Sequence, residues 1–162
     1  MFLMLALLVS GFMYNDARAQ VSVGINIGLQ PVWGPVGYDR ADYYYFPDID
    51  AYYDVPEHRY VYLEGGNWVF GAQLPPRYGN FDVYHSYKVV VNEPKPYMHA
   101  DVYREKYAVY KGHHDQQVIR DSHDPKYYVI KEHPDHGKYK GEERHEEHKE
   151  EHHHEEHHEE HH

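Results

Sequence analysis

Apolar residues alternate with small or polar ones through VSVGINIGL, where Val21, Val23, Ile25, Ile27 and Leu29 fall on one side of an extended chain. That period of two predicts a first strand. The next stretch, QPVWGPVGYDR, is punctuated by Pro31, Gly34, Pro35 and Gly37, which predicts a loop whose Trp33 folds back over the sheet. YYYF (43–46) and DIDAYYDV (48–55) are split by Pro47 and read as two strands or as one broken edge strand. After a turn at VPEHR comes the clearest hairpin, YVYLEGGNWVF, in which aromatic-rich segments flank a Gly65-Gly66 pair able to take positive φ. LPPRYGN (74–80) breaks the run, FDVYHSYKVVV (81–91) reads as a further strand, and NEPKP ends it.

From Met98 the spacing changes to helical. Val102 or Tyr103, Lys106 or Tyr107, and Tyr110 recur at helical intervals, Asp101 sits where a cap or first turn belongs, and Gly112 stands at the stop. A helix near 100–111 follows. Beyond it the short apolar pieces at 118–119 and 127–130 lie among Pro and Gly breaks and choose neither strand nor helix. The fold class expected is a small, mainly β α+β domain, built of an antiparallel meander and hairpins with one C-terminal helix, followed by a disordered His/Glu-rich tail.

Composition narrows the chemistry. The 162 residues carry 16 Lys+Arg against 27 Asp+Glu, a formal charge of -11 that argues against nucleic acid as a partner. Residues 141–162 hold ten Glu against one Arg and one Lys, so most of the negative charge is in that segment and the rest of the chain is nearly balanced. There is no cysteine, so disulfides, thiolate metal sites and a Cys nucleophile are all excluded. With 19 Tyr, apolar burial must rest mostly on aromatic rings, whose hydroxyls need partners when covered.

Residues 2–13 form an apolar run too short to span a bilayer, and Ala17-Arg18-Ala19 before Gln20 matches a small-x-small cleavage pattern, although no positive charge precedes the run. This predicts a signal peptide over 1–19, the alternative being a buried N-terminal helix. No later apolar run nears 20 residues, which leaves the mature chain without a transmembrane span. The domain division expected is a Tyr-rich β module over 20–111, a basic Tyr/His-rich linker over 112–140, and the acidic His-rich tail over 141–162.

The run YYYFPDIDAYYDVPEHRYVYLEGGNWVFGAQLPPRY, preceded by QPVWGPVGYDRADYY, resembles a group of uncharacterised Tyr-rich exported proteins of Bacteroidota-type bacteria. The likeness covers roughly residues 20–140 through the pattern YYYxPDxDxYYD, YVYLxxGxW and LPxxY. It implies Tyr-rich β structure and a periplasmic, secreted or cell-envelope location in a Gram-negative bacterium. It assigns no reaction and transfers no site residue.

Several constellations invite chemistry. Asp121-Ser122-His123-Asp124 holds the residue types of a hydrolase triad, yet triads assemble from separate segments, and a turn at Asp124-Pro125 is the plainer reading. No nucleophile elbow, zincin motif, phosphate loop or dinucleotide fingerprint occurs, so a non-enzymatic role is expected. Asp48, Asp50 and Asp54 could pair for glycoside hydrolysis or hold Ca²⁺, against the plainer reading of an acidic edge strand. His58, His85 and His99 are isolated.

The remaining histidines differ in kind, because 14 of the 17 lie from His113 onward. The candidate metal ligands are His113, His114, His133 and His136, together with His145, His148, His152, His153, His154, His157, His158, His161 and His162 in the tail. Neutral imidazole with carboxylate nearby suits Zn²⁺, Ni²⁺ or Cu²⁺ without thiolate, and sites that are not preorganised would hold such ions loosely. No organic cofactor is expected. In a helical tail His153, His157 and His161 would share one row, while Glu151, Glu155 and Glu159 would repel one another in the metal-free state. Two functions are therefore expected in competition. One is an exported protein that sequesters or buffers divalent transition metals. The other is a structural or adhesive envelope protein whose Tyr-rich module binds a cell-envelope component, with the tail accessory.

Overall fold

The computed structural model describes residues 26–138. The expected signal peptide, residues 21–25 of the first expected strand, and the 141–162 tail lie outside the described residues. Five strands form one antiparallel sheet: β1 (Tyr43–Phe46), β2 (Ala51–Asp54), β3 (Arg59–Glu64), β4 (Asn67–Gly71) and β5 (Val89–Val91). Their order is β4-β3-β2-β1-β5, so the chain meanders outward from β1 and β5 returns to pair along its free side. Among the described residues the fold is thus mainly β, with the short helix α1 (Ala100–Lys106), as the patterning predicts.

Turn chemistry sets the meander. Gly65 and Gly66 take φ of 56° and 81°, the left-handed pair that a two-residue hairpin needs to match strand twist. The β1–β2 and β2–β3 connections are four residues each, 47–50 and 55–58, and each ends on a left-handed residue, Asp50 or His58, both at φ 50°. Asp and His are among the non-glycine types that tolerate that region best. Pro47 therefore separates two paired strands, with Tyr45 opposite Tyr52 and Tyr44 opposite Tyr53.

Both sheet faces are covered, which is why β1 and β2 read as continuous aromatic runs rather than as alternating polar and apolar positions. On one face Tyr45, Tyr52, Val61 and Val91 pack under Tyr97, Ala100 and Tyr103 from the segment containing α1. On the other, Ala41, Tyr44, Phe46, Tyr53 and Val55 pack with Leu29, Trp33 and Phe81. Trp33 folds back as expected, edge-on to Tyr53 at 4.8 Å and to Tyr44 at 5.6 Å. A third cluster joins Ile27, Ile119, Tyr127 and Ile130, flanked by Val32 and Val36.

Four sequence expectations are corrected. Residues 26–29 are helical, so the described part of VSVGINIGL is not a strand; Ile27 still points into apolar contacts, because the third cluster requires one buried side chain there and not an alternating face. Only 89–91 of the 81–91 segment is strand. Asp82 turns the chain before it, accepting N–H bonds from Tyr84 and His85 at 2.9 and 3.3 Å, while its carbonyl accepts the Ser86 hydroxyl. The helix stops at Lys106, with a short 3₁₀ turn at Ala108–Tyr110 and Gly112 at φ 74° beyond.

Residues 112–138, expected as a linker, belong to the packed domain. Pro35 bridges to Val118, Val36 N–H donates to the Gln117 carbonyl, and Ile119, Tyr127 and Ile130 are buried. The Tyr127 hydroxyl also accepts the Gly37 N–H at 2.7 Å. Four buried apolar side chains at irregular spacing, Val118, Ile119, Tyr127 and Ile130, are enough to dock a segment whose helical elements are the 3₁₀ turns Ile119–Asp121 and Pro125–Val129. Among the described residues no helix is long and apolar enough to cross a membrane.

Candidate metal-ligating residues

The histidines of the described chain are set by the turns that carry them. The Asp82 turn brings its carboxylate to His85 Nδ1 at 2.6 Å, and that contact is the main cause holding the Asp82 pKa below the ordinary range. The segment following the Ala108–Tyr110 turn runs alongside. There the His85 carbonyl contacts His114 Nδ1 at 3.1 Å, and His113 Nδ1 stands 3.7 Å from Asp115 Oδ1. His85, His113 and His114 are exposed on one flank of the domain. His113 also lies edge-on to Tyr110 and Tyr87, with ring centroids 6.0 and 6.3 Å away.

The C-terminal pair behaves differently. His133 is buried at 4 % exposure. Its Nδ1 accepts the Asp135 N–H at 3.0 Å, so the proton resides on Nε2, which donates to the Ile119 carbonyl at 3.1 Å. With both nitrogens committed, His133 has no lone pair for a metal in this conformation. Its expected role as a ligand is replaced by a structural one: it ties 133–135 to the Ile119 turn. His136 is exposed and contacts the Tyr128 carbonyl through Nδ1 at 3.0 Å, which leaves Nε2 open. His123 is 92 % exposed in its side chain and 3.9 Å from Asp135, whose pKa is lowered chiefly by hydrogen bonding to Lys138.

Among the described residues no three His, Asp or Glu side chains converge closely enough to hold a metal ion. The flank of His85, His113 and His114 supplies imidazoles without a shared focus. The nine tail histidines, from His145 to His162, lie outside the described residues.

The other constellations resolve into anchors. Asp48 accepts the Gly112 N–H at 2.7 Å, and Asp50 accepts the Tyr45 hydroxyl at 3.0 Å and Arg104 Nε at 2.8 Å. Asp54 is buried at 4 % and pairs with Arg59 at 3.3 Å. The two turn acids thus clamp the α1 segment to the β1–β2 turn, and because β2 lies inside the sheet the edge-strand reading of these acids is wrong. Ser122 Oγ accepts the Asp124 N–H, and Asp124 in turn caps the Pro125–Val129 turn by accepting from Lys126 N at 3.1 Å. Ser122, His123 and Asp124 therefore make a turn and not a relay. An open depression between Ile49 and residues 76–81 offers Arg77, but Arg77 is already held by Glu64 at 2.9 Å and by the Leu63 carbonyl at 2.8 Å.

Two features left no sequence signal. Lys88 is buried at 1 % exposure and donates Nζ to the Val83 carbonyl at 2.6 Å, and burial pushes its pKa down to about 8. Tyr87 stacks on Tyr110 across 23 positions of sequence. Each depends on how the Asp82 turn meets the α1 segment, which residue spacing does not encode.

Comparison with known proteins finds no matching family model, no matching curated protein and no matching solved structure.

Proposed function

We propose that the protein is an exported binder of divalent transition metals, with the β domain as scaffold and the His/Glu-rich C-terminal segment as the ligand reservoir. One observation carries this reading: nine His and ten Glu among the 22 residues 141–162, in a chain without cysteine. Borderline ions such as Zn²⁺, Ni²⁺ and Cu²⁺ favour imidazole, and carboxylate both completes the shell and offsets the metal's charge. Ligand density of this kind favours several exchanging sites over one tight site, because each ion must order the chain it binds. The exposed imidazoles of His113, His114 and His136 extend the reservoir onto the domain. The apolar run before Ala19, with its small-x-small pattern, supports a location outside the cytoplasm for this activity.

Calorimetric titration of the full chain and of a chain ending at residue 140, with Zn²⁺, Ni²⁺ and Cu²⁺, tests the proposal. Loss of most bound equivalents on truncation supports it. Equal stoichiometry in the two chains refutes the assignment to the tail.

A second reading draws on a different observation. Met98, Val102 and Val109 are 64 %, 54 % and 71 % exposed on and beside α1. These apolar side chains favour a structural or adhesive protein whose domain meets an envelope component. Retention of envelope material by the domain without its tail favours that reading over metal handling.

A further inference from the structure

Aromatic rings of the described chain meet mostly edge-on or tilted, at centroid separations of 4.8 Å or more, as in Trp33–Tyr53, Tyr45–Tyr52 and Tyr53–Tyr60. Among the described residues Tyr87 and Tyr110 are the closest pair and the one with parallel planes: their centroids are 4.3 Å apart and their planes meet at 0°, against 26° and 30° for Tyr103–Tyr107 and Tyr107–Tyr110. Both rings are half-buried, so part of the pair meets solvent while the facing surfaces exclude it. Tyr87 is held by the turn before β5, where the adjoining Lys88 exchanges backbone hydrogen bonds with the Gln116 side chain at 2.9 Å in both directions. Tyr110 is held by the 3₁₀ turn after α1 and by Gly112 N–H donation to Asp48. Two separate chain segments are thus fixed so that their phenols overlap.

The pair also ends a file of aromatic rings. Tyr45 adjoins Tyr103 and Tyr107 at 6.0 and 6.2 Å, Tyr103 adjoins Tyr107 at 6.0 Å, and Tyr107 adjoins Tyr110 at 6.3 Å. Tyr45 continues through Tyr52 to Trp68. An electron vacancy created in the buried core therefore has a chain of neighbouring rings leading to the half-exposed pair. Burial, and next the adjacent Tyr110 phenol, push the Tyr87 hydroxyl above its ordinary pKa, so Tyr87 is held as a neutral phenol at neutral pH.

We propose that Tyr87 and Tyr110 are a site of oxidative modification, at which a peroxide-consuming peroxidase joins the two rings into an intramolecular dityrosine. Each phenol loses one electron from its π system and one proton to water, giving two tyrosyl radicals. The rings are already stacked face to face; one ortho carbon of each forms a single C–C bond, and as the rings regain aromaticity each of those carbons gives up its proton while each phenol oxygen takes one back, so the net loss is two hydrogens. One hydrogen peroxide takes up the two electrons and two protons and leaves as two waters. The product is a covalent bridge between the turn before β5 and the turn after α1. Because the radicals are generated against each other, coupling within the chain outpaces coupling between chains in dilute solution. This inference is independent of the metal reading.

The test is treatment of the dilute full-length protein with a peroxidase and limiting hydrogen peroxide, followed by dityrosine fluorescence, intact mass and tryptic mapping. Expected are a monomeric product lighter by two hydrogens and a cross-link between peptide 78–88 and peptide 107–111. Tyr87→Phe and Tyr110→Phe each remove one hydroxyl and keep the stacked ring, and each is expected to abolish that link; far-ultraviolet circular dichroism confirms that the fold is retained. Should one variant misfold, the other carries the test, and the link in the unaltered protein is mapped in either case. Cross-links scattered over other tyrosines, mainly intermolecular products, or survival of the 78–88 to 107–111 link in the folded Tyr87→Phe and Tyr110→Phe chains would overturn the proposal.

Discussion

Tyr44 and Tyr52 lie on opposite faces of the sheet, both at 0 % exposure, yet their hydroxyls have opposite fates. Tyr44 donates to Gln30 Oε1 at 2.8 Å, and Gln30, itself 1 % exposed, passes the connection on by donating Nε2 to the Tyr38 carbonyl at 3.1 Å. The Tyr52 hydroxyl is buried without a partner among the described residues. Tyr44→Phe therefore removes a hydrogen bond and strands the Gln30 carbonyl, at a cost of about 1–3 kcal/mol. Tyr52→Phe removes a polar atom that gains nothing in the fold, so its expected effect lies between zero and a stabilisation of about 1 kcal/mol. The two substitutions are chemically identical and delete the same oxygen, so the comparison isolates satisfaction from volume. Urea or thermal unfolding reads the difference. For a domain of about 100 residues each 1 kcal/mol corresponds to roughly 4–8 °C in Tm. Equal losses at both positions, or a larger loss at Tyr52, would refute the assignment of hydrogen bonds that ties Tyr38, Gln30 and the sheet together.

Gly34→Ala places a Cβ 2.6 Å from the Tyr44 hydroxyl and 3.0 Å from the Pro31 carbonyl; since backbone cannot yield, a loss of about 1–3 kcal/mol in denaturant unfolding is expected. His133→Ala is expected to lower stability by about 1–3 kcal/mol while leaving metal stoichiometry by calorimetry unchanged, because both ring nitrogens already serve the backbone. Burial is the main cause raising the pKa of Tyr44, Tyr45 and Tyr52, and it pushes Tyr53 up to about 12. Their contribution to stability is complete below the unfolded value near 10 and is lost as pH climbs above it, because the unfolded chain releases phenol protons that the folded chain retains. Phenolate absorbance should therefore appear in one cooperative step that coincides with loss of near-ultraviolet dichroism; independent early titration of all tyrosines would contradict the packing. Lys88 works the other way: its folded pKa of about 8 lies below the ordinary lysine value, so between 8 and the onset of tyrosine ionisation stability should rise with pH, and Lys88→Met should flatten that rise.

What was legible in the chain followed from local rules. Gly65-Gly66 between aromatic runs specified its hairpin, because only a left-handed pair closes two strands in two residues. Asp101 and the spacing of Tyr103 and Tyr107 placed the start of α1, whereas its end falls at Lys106 and not near 111. The failures share one physical origin. VSVGINIGL has a strand period, but Ile27 is buried by Ile119, Tyr127 and Ile130, partners far along the chain that its pattern does not announce. The 112–138 segment reads as a linker because its apolar residues follow no period, and it packs through Val118, Ile119, Tyr127 and Ile130 at irregular spacing. The acids at 48, 50 and 54 were legible as a cluster but not as clamps, since their partners Gly112, Arg104 and Arg59 come from other elements. For the candidate ligands, residue type is visible from sequence, whereas His133 shows that availability of a lone pair depends on the tautomer its neighbours impose.

Metal handling stands or falls with what the protein carries when nobody supplies it. The direct measurement is elemental analysis of untagged protein purified from its native source without added metal or chelator. Zinc, nickel or copper present at more than one equivalent per chain, and displaced as acidification protonates the imidazoles, is the result expected. Metal-free protein that also takes up none of these ions at neutral pH would contradict the proposed function.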